Sequence, residues 1–444
     1  MKLWLKNPLS ILAENAGGGI VVEGTSIVEL VPSGAQPYLP YDSVFDASSH
    51  IILPGMINLH HHFYQTLTRV FPAALNKDLF PWLKTLYPIW SKLSLEALRL
   101  GTRLALAELL LSGCTTTSDH HYIFPSGLEK AIDWQVEEAQ LLGIRVVLCR
   151  GSMDRSQKDG GLPPDSVVQT SDEILEDSER LINKYHNSNE GAMTQIALAP
   201  CSPFSVSVKV MHESSKLSKK HNVLLHTHLA ETEDENSFCL EKMGCRPLEY
   251  LERLGWLTNR TWLAHGIHFT DKEIQKLGAS KTGIAHCPSS NMLLSSGVCR
   301  VPELEKSGVP VGIGVDGSAS NDTSNIMQEV RQAFLLQRLH HGSEVTHLTA
   351  LGWATEGGAN VLRRPEIGRI KTGMQSDLAL FKLDELRFSG YGDPLAALVI
   401  CGADRADRVM VAGKWLVKDG QIPGLNLPEL KTQHHKAARY LQTM

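Results

Sequence analysis

The chain has 444 residues, of which 42% are hydrophobic and 20% are charged, and its formal net charge is -5. This composition is typical of a globular protein and excludes a mainly disordered chain, while the weak negative charge without clustered Lys and Arg argues against a nucleic-acid partner. The eight cysteines form no C-x-x-C pair, so we expect neither a thiolate zinc knuckle nor a disulfide framework, and we expect a reducing cytoplasm.

The N-terminal residues contain no sustained apolar stretch, so we expect neither a secretory signal nor a membrane span. Residues 1–52 contain the short segments GGIVVEG and TSIVELVP, and residues 366–444 contain SDLALFKL, RVMVAGKWLV and KDGQI. Such segments are typical of β-hairpins. We therefore expect the two termini to pair into one small composite β-sandwich domain.

Between these ends, short apolar runs alternate with helical patterns. The runs cover residues 51–60, 115–121, 144–150, 194–202, 222–229, 261–266, 282–288 and 309–316. Helical patterns lie at 94–113, 171–186 and 324–340, and each begins with a serine that is the expected N-cap. Alternating strands and helices predict parallel βαβ units, and this number of strands predicts an α/β fold, a distorted (β/α)8 TIM barrel over residues 53–365.

The segment LFPWLKTLYPIWSK at 79–92 precedes the first long helix and combines proline with large aromatic side chains. A segment of this kind can cover the mouth of a barrel as a lid. Trp82 and Tyr87 are therefore candidate lid residues, and ordinary packing is the alternative for both.

Histidines end the first predicted strand, and strand ends are where barrel enzymes place their chemistry. The run reads His60, His61 and His62, and because side chains alternate along an extended chain, His60 and His62 face the same side. Imidazole nitrogen suits zinc, and a catalytic zinc takes about three protein ligands and keeps one position for water. The His-x-His pair therefore predicts one half of a metal site.

Two later strands supply the other half of this site. The fifth strand carries His226 and His228, and the eighth strand ends at Asp316. Four buried polar side chains need mutual satisfaction, and a single metal ion satisfies them together. The predicted metal ligands are His60, His62, His228 and Asp316. Glu231, close after the fifth strand, supplies a carboxylate that can act as base or acid.

The other strand-end histidines allow more than one interpretation. His265 closes the sixth strand and is a candidate for contact with the substrate or its developing charge, with a structural role as the alternative. His286 is open to either role. His120 and His121 end the second strand, where the ligand count is already filled, so we expect them behind the site or in solvent. The expected surface histidines are His340, His341, His434 and His435.

The motifs LPGMINLHHH, HTHLAET, LAHG, HCPSSN and GVDGSASND resemble, in this order, those of the amidohydrolase superfamily, in its cytosine deaminase and chlorohydrolase-like branch. The segments EIGRIKTGMQSDLALF and VMVAGKWLVKDGQ are similar to that family's composite β domain. The resemblance implies metal ligation by the same four residues, proton transfer by Glu231 and contact of His265 with the substrate or transition state. Dinuclear relatives carry a lysine where this chain reads LAPCSPF, so one zinc per chain is implied, with Fe2+ as the alternative. The branch also implies a homodimer.

Within the branch, HHHFYQTLTR and APCSPFSVS are similar to the 8-oxoguanine deaminases, and this resemblance implies that Gln65 touches the substrate. An amide offers a donor and an acceptor, which matches the lactam edge of a purine or pterin, and the alternative is that Gln65 only holds its loop. Guanine deaminases carry Arg-Phe where this chain has Pro203 and Phe204, which argues against guanine. Isoxanthopterin and aminotriazine deaminases share much of the first-strand pattern and are alternatives.

The implied activity is zinc-dependent hydrolytic deamination of a purine-like heterocycle, in particular of 8-oxoguanine to urate and ammonia. In the expected mechanism, Asp316 and His265 position a metal-activated hydroxide, and Glu231 moves protons to the ring nitrogen and the departing amine. Because a metal site does not encode the leaving group, a cyclic-amide or halide hydrolase on the same site is a second hypothesis. A non-catalytic barrel is a third, and such a protein should lack the ligands that this chain retains.

Overall fold

The computed structural model describes residues 1–443, whose strands form three sheets. The strands, in chain order, are β1 Lys2–Lys6, β2 Ser10–Ile11, β3 Gly19–Glu23, β4 Ser26–Val31, β5 Ser43–Asp46, β6 His50–Pro54, β7 Met56–Asn58, β8 Cys114–His121, β9 Arg145–Ser152, β10 Thr194–Pro200, β11 Leu225–Leu229, β12 Thr261–His265, β13 Gly283–His286, β14 Val311–Ile313, β15 Leu378–Lys382, β16 Arg408–Val411 and β17 Lys414–Val417.

Helices separate most of the strands of the largest sheet. They are α1 Leu79–Trp90, α2 Leu95–Leu111, α3 Ala131–Leu142, α4 Ser171–Tyr185, α5 Val208–His221, α6 Glu233–Met243, α7 Pro247–Arg253, α8 Asp271–Ser280, α9 Pro288–Leu293, α10 Val301–Lys306, α11 Ile326–His341, α12 His347–Gly352, α13 Gly358–Val361, α14 Pro394–Ile400 and α15 Leu427–Thr443. A short 3₁₀ helix, Phe63–Thr68, follows β7. Among residues 1–443, no helix has both the length and the apolar character that crossing a membrane requires.

The largest sheet consists of β7 to β14, paired in chain order and parallel throughout. The amide of Leu59 donates to the carbonyl of Ile313 at 2.9 Å, which joins the first strand to the last and closes the ring. Side chains alternate across the wall: Val147 belongs to the cluster inside the ring, while Val146 belongs to the layer between strands and helices. The predicted (β/α)8 TIM barrel is confirmed.

The first predicted strand, 51–60, is in fact two strands of different sheets. β6 pairs with β15 and β2 outside the barrel, and β7 begins the barrel after Gly55. A Cβ at Gly55 would lie 2.2 Å from Oγ1 of Thr115, so only glycine fits where the chain changes sheet. Both pieces are buried along their whole length, and the sequence therefore shows no alternation that would mark the break.

Two further sheets form the small β domain beside the barrel. Their strand orders are β4-β3-β1-β5 and β17-β16-β15-β6-β2, so strands from both chain ends share the second sheet. Ile20 of the first sheet and Ile52 and Leu378 of the second belong to one buried apolar cluster between them. The predicted composite β-sandwich is confirmed, including the hairpins β3–β4 and β16–β17. The domain limits after residues 52 and 365 stay predictions.

The expected serine N-caps are correct for one of the three helices. Ser94 caps α2, since its side chain accepts a hydrogen bond from the amide of Ala97 at 3.2 Å. The other two expectations are wrong by one residue, because Thr170 caps α4 and Asn325 caps α11. The hydroxyl of Ser324 is instead hydrogen-bonded to Nε2 of His61 at 2.9 Å.

The C-terminal helix α15 packs on α2 and on the 3₁₀ helix that follows β7. His434 lies on the packed face, and its Nε2 is 3.1 Å from Oγ1 of Thr66. Nε2 of Gln442 donates to the carbonyl of Leu67 at 2.7 Å. The expectation that His434 lies at the surface is therefore wrong, because α15 turns that side of its surface towards the barrel.

We expect the docking of α15 to weaken in acid. Burial lowers the pKa of His434 from 6.5 to about 4, so the unfolded chain takes up a proton before the folded one does. The stability that the neutral ring contributes is complete above about pH 6.5 and is lost as the pH falls to about 4. Melting temperatures between these pH values should fall less for His434→Gln than for the wild type. His435→Gln, at the exposed neighbour, is the control, and equal slopes for all three proteins would contradict the prediction.

Candidate active site

Four polar side chains meet at the carboxyl ends of three barrel strands. His60 and His62 follow β7, His228 lies in β11, and Asp316 follows β14. Nε2 of His60 and Nε2 of His62 each lie 3.3 Å from Oδ1 of Asp316. Nε2 of His62 and Nε2 of His228 are 3.2 Å apart. The structure thus brings together all four residues that the sequence suggested as metal ligands.

The hydrogen bonds behind two of these rings leave unprotonated nitrogens facing each other. Nδ1 of His62 donates to the carbonyl of His120 at 2.7 Å, and Nδ1 of His228 donates to the carbonyl of Cys201 at 2.7 Å. Burial lowers the pKa of His62 to about 4 and lowers the pKa of His228 as well, so both rings are neutral and carry one N–H each. Their two Nε2 lone pairs therefore point at one another.

Facing lone pairs repel unless a positive charge lies between them. Two ligand atoms of one tetrahedral zinc, each about 2.0–2.1 Å from the ion, lie roughly 3.3 Å apart. The separations of His62 from His228, at 3.2 Å, and from Asp316, at 3.3 Å, match this spacing. Three imidazoles and one carboxylate are also a ligand set that zinc accepts. The histidine and aspartate groups fit a divalent metal site.

Glu231 lies in the turn after β11 and is 4% exposed. Its Oε2 is 3.5 Å from Nε2 of His265, and its amide donates to Oε2 of Glu235 at 2.9 Å. Burial raises the pKa of Glu231 well above its ordinary value, and the charges of Asp316 and Glu235 raise it further. A carboxyl group that keeps its proton near neutral pH can donate that proton to a substrate.

His265 ends β12 and turns its ring into the same space. Nδ1 of His265 accepts a hydrogen bond from Nδ2 of Asn291 at 2.9 Å, so the ring carries its proton on Nε2, on the side of Glu231. His265 and Asp316 have φ angles of 73° and 62°, in the left-handed region that non-glycine residues seldom adopt. Strain of this kind is retained where the surrounding structure requires it, and functional sites are a common place for it.

Gln65 lies in the 3₁₀ helix after β7 and is 1% exposed. Its Oε1 is buried and has no hydrogen-bond partner within residues 1–443. The carboxamide passes so close to Gly317 that a Cβ there would lie 1.9 Å from Oε1. Gly317 has no side chain, and Gln65 can therefore lie beside the four-residue cluster. A bound ligand can donate a hydrogen bond to the unpaired Oε1 of Gln65.

A cavity opens above these polar groups. Its apolar and aromatic lining residues are Leu79, Trp82, Leu83, Tyr87, Tyr122, Phe204 and Leu294. The first four belong to α1, and Nε1 of Trp82 donates to the carbonyl of Ala319 at 3.3 Å, which fastens α1 to the loop after Asp316. The segment that the sequence suggested as a lid is thus a helix over the cavity, and both Trp82 and Tyr87 face into it.

The remaining strand-end histidines lie behind the cluster or away from it. His120 is buried, with Nε2 2.8 Å from the carbonyl of Ala199 and its ring stacked on His228 at 4.7 Å. His121 is buried against aromatic rings, so the solvent alternative is wrong for both residues. Nε2 of His286 is 3.3 Å from Nε2 of Gln337, and His286 takes no part in the cluster.

His226 is a residue that the sequence pattern singled out without giving it a role. Its Nε2 is 2.7 Å from Nδ1 of His60, and its Nδ1 is 2.9 Å from the carbonyl of Trp262. The ring is fully buried and stacks on the Trp262 indole, with centroids 4.2 Å apart. The His-Thr-His spacing placed it on the same side of β11 as His228, but its partners follow from the pairing of β11 with β12 and from the approach of the residues after β7 across the barrel.

Comparison with known proteins agrees with this geometry. The model of the amidohydrolase family matches residues 51–416. The chain is 58% identical to 8-oxoguanine deaminase from Pseudomonas aeruginosa, with 99% of both chains covered. It is 34% identical to isoxanthopterin deaminase from an unknown prokaryotic organism, and the matched region covers 92% of this chain and 89% of that protein. The crystal structure of atrazine chlorohydrolase from Arthrobacter aurescens, complexed with zinc, is similar with a TM-score of 0.91 and 27% identity, covering 98% of this chain and 99% of that one.

Proposed function

The chain belongs to the amidohydrolase family, and from this premise we propose that it is a zinc-dependent deaminase that hydrolyses 8-oxoguanine to urate and ammonia. The observation that carries the proposal is the cavity, which opens onto the histidine and aspartate cluster, Glu231 and His265 together. The 58% identity to an 8-oxoguanine deaminase along the whole chain supports this ring system. Isoxanthopterin, guanine and aminotriazines are the alternative substrates. The branch resemblance further suggests a homodimer in the cytoplasm, and sedimentation of the purified protein tests the dimer.

One zinc ion per chain would be held by His60, His62, His228 and Asp316. The facing lone pairs and the spacing of their ligand atoms support this assignment, as does zinc in the similar atrazine chlorohydrolase. Fe2+ is the alternative ion. An ion at this position lowers the pKa of a water molecule towards neutrality and so supplies the nucleophile. Everything else that the reaction needs comes from the side chains around it.

In the proposed reaction, oxygen from water replaces the exocyclic amine on C2 of the purine. The C–O bond forms, the C–N bond breaks, and ammonia leaves. Glu231 holds its proton because it is buried beside two other carboxylates, and it delivers that proton to the ring nitrogen. The carboxylate that results takes a proton from the nucleophile and passes it to the departing amine. The N–H on Nε2 of His265 stabilises the charge that develops during attack.

The walls of the cavity suit a flat heterocycle. Trp82 and Phe204 offer aromatic surface, and the buried carbonyl of Gln65 is available for a lactam N–H. Oη of Tyr87, also buried, has no partner within residues 1–443 and is available to the ring's oxygen atoms. Pro203, where guanine-specific relatives carry an arginine, supplies no donor to the cavity. Of these features, the lack of a donor at Pro203 favours an oxidised purine over guanine, since guanine shares the lactam N–H and the ring oxygen.

Ammonia release from a panel of compounds tests the proposal. Zinc-loaded protein is incubated with 8-oxoguanine, guanine, isoxanthopterin, cytosine and an aminotriazine at one pH, and initial rates are compared. We expect the highest kcat/KM with 8-oxoguanine and urate as the product. A higher kcat/KM with guanine or isoxanthopterin would identify that compound as the substrate instead. If no compound released ammonia, the proposal that the protein is a deaminase would be wrong. A halide or cyclic-amide hydrolase would release no ammonia and would fall under this last outcome.

We expect Gly317→Ala to weaken substrate binding without removing the metal. The new methyl group would occupy the space of Oε1 of Gln65, so the carboxamide must leave its position beside Asp316. Losing one hydrogen bond to a substrate costs about 1–1.5 kcal/mol, or roughly a tenfold rise in KM. Gly352→Ala is the control, since a Cβ there meets nothing within 4 Å. Equal KM values for the two variants would contradict the proposed role of Gln65.

A further inference from the structure

A row of hydrogen bonds leads from the cluster into the wall of the barrel. It runs from Nδ1 of His60 to Nε2 of His226 over 2.7 Å, and from Nδ1 of His226 to the carbonyl of Trp262 over 2.9 Å. All three residues are fully buried. Water is therefore not available to replace any link in this row.

The far end of the row determines the direction of every link. A backbone carbonyl can only accept, so Nδ1 of His226 carries the hydrogen. A neutral imidazole has one N–H, which leaves Nε2 of His226 as an acceptor. Nδ1 of His60 must then donate, and Nε2 of His60 is left with a lone pair. That Nε2 is buried and has no hydrogen-bond partner within residues 1–443.

We propose that His226 is a positioning residue for the metal site, which fixes the tautomer and the ring orientation of His60 by accepting its N–H. His60 then presents its lone pair to the ion at all times, next to Oδ1 of Asp316 at 3.3 Å. Without the acceptor, the ring would be free to carry its hydrogen on Nε2, where it would block ligation. The stacking of His226 on Trp262 at 4.2 Å holds the acceptor in place.

Two of the other histidines in the cluster are oriented differently. Nδ1 of His62 and Nδ1 of His228 donate directly to backbone carbonyls, those of His120 and Cys201. His60 has no such carbonyl and reaches one only through the ring of His226. The ring of His226 can make this link because a neutral imidazole accepts on one nitrogen and donates on the other. Its removal therefore affects His60 and leaves the other two rings in place.

This inference rests on the metal site proposed above, and the test compares two substitutions of the same residue. The carboxamide of His226→Gln can still accept from His60 and donate to Trp262, whereas His226→Phe keeps an aromatic ring beside Trp262 but can do neither. Loss of an orienting partner typically weakens metal affinity about 10–100-fold. We expect His226→Phe to lose zinc affinity by this factor and His226→Gln to stay within a few-fold of the wild type.

Zinc affinity is measured by competition with a chromophoric chelator, and the melting temperature of the zinc-free proteins reports on folding. The control is His286→Phe, which places the same ring at another fully buried strand end outside the cluster. Equal zinc affinity in His226→Phe and the wild type would overturn the inference alone. Equal losses in His226→Phe and His286→Phe would also overturn it. A wild type that bound no zinc would overturn the metal site and this inference with it.

A measurement on the unaltered chain avoids any question of folding. In zinc-free protein labelled with 15N-histidine, we expect the His60 ring to show a protonated Nδ1 and an unprotonated Nε2. The signal is identified by its loss in His60→Gln. A protonated Nε2 on His60 in the wild type would overturn the inference, whatever the zinc affinities show.

Discussion

Glu231→Gln is expected to lower kcat for 8-oxoguanine by about 10²–10⁴-fold while the protein keeps its zinc. Glutamine has nearly the same shape but no proton that it can give up and recover, and Glu231 is buried where its carboxyl group holds such a proton. Oε2 of Glu231 lies 3.5 Å from Nε2 of His265 and is not among the groups that fit the metal. Steady-state ammonia release and the zinc content of the purified variant are the two measurements.

Glu233→Gln is the matched control for this prediction. Glu233 lies two residues further along the chain, at the start of α6, but its side chain is exposed and paired with Nδ1 of His268 at 2.8 Å. We expect this variant to keep its activity. Full turnover by Glu231→Gln would show that Glu231 does not transfer the proton. Loss of zinc from that variant would instead give Glu231 a part in binding the ion.

His62→Ala is expected to lose bound zinc and to lower kcat/KM on the order of 10³-fold or more, because the metal stabilises the transition state by several kcal/mol. Nε2 of His62 lies between Asp316 at 3.3 Å and His228 at 3.2 Å, so its removal opens the cluster on one side. Chelation of the wild type should abolish ammonia release, and added zinc should restore it. Added zinc should restore little activity to His62→Ala.

The neighbouring residue provides the control for this variant. His61 points away from the cluster and is hydrogen-bonded to Ser324 at 2.9 Å. We expect His61→Gln to keep its zinc and most of its activity, since an amide can maintain that hydrogen bond. If His61→Gln lost zinc to the same extent as His62→Ala, the contrast between the two sides of this strand would be wrong.

The sequence was informative about the barrel because its signals are local. Eight apolar runs that alternate with helical patterns predict parallel strands whatever the details of packing, and the alternation of side chains alone separates His61 from His60 and His62. The motif order likewise predicted the family, which the comparison with known proteins confirmed.

The features that were missed depend on contacts between distant parts of the chain. The role of His226 requires residues 60, 226 and 262 to meet, and no spacing within one segment contains that information. The burial of His434 depends on where α15 packs, and the break at Gly55 depends on which sheet each half of the run joins. The N-caps of α4 and α11 were missed for a different reason, since adjacent polar residues compete and a shift of one residue leaves the pattern unchanged.

The junction at Gly55 limits how far this protein can be shortened. β6, just before it, pairs with β15 from the far end of the chain, and β7, just after it, leads directly into His60 and His62. Because only Gly55 separates the two strands, a change in the pairing of β6 can shift the position of β7. A chain that ended before residue 378 would leave β6 paired with β2 alone, and β7 would be held only by its neighbours in the barrel. We therefore expect removal of either chain end to disturb the residues that lead into the metal site as well as the β domain.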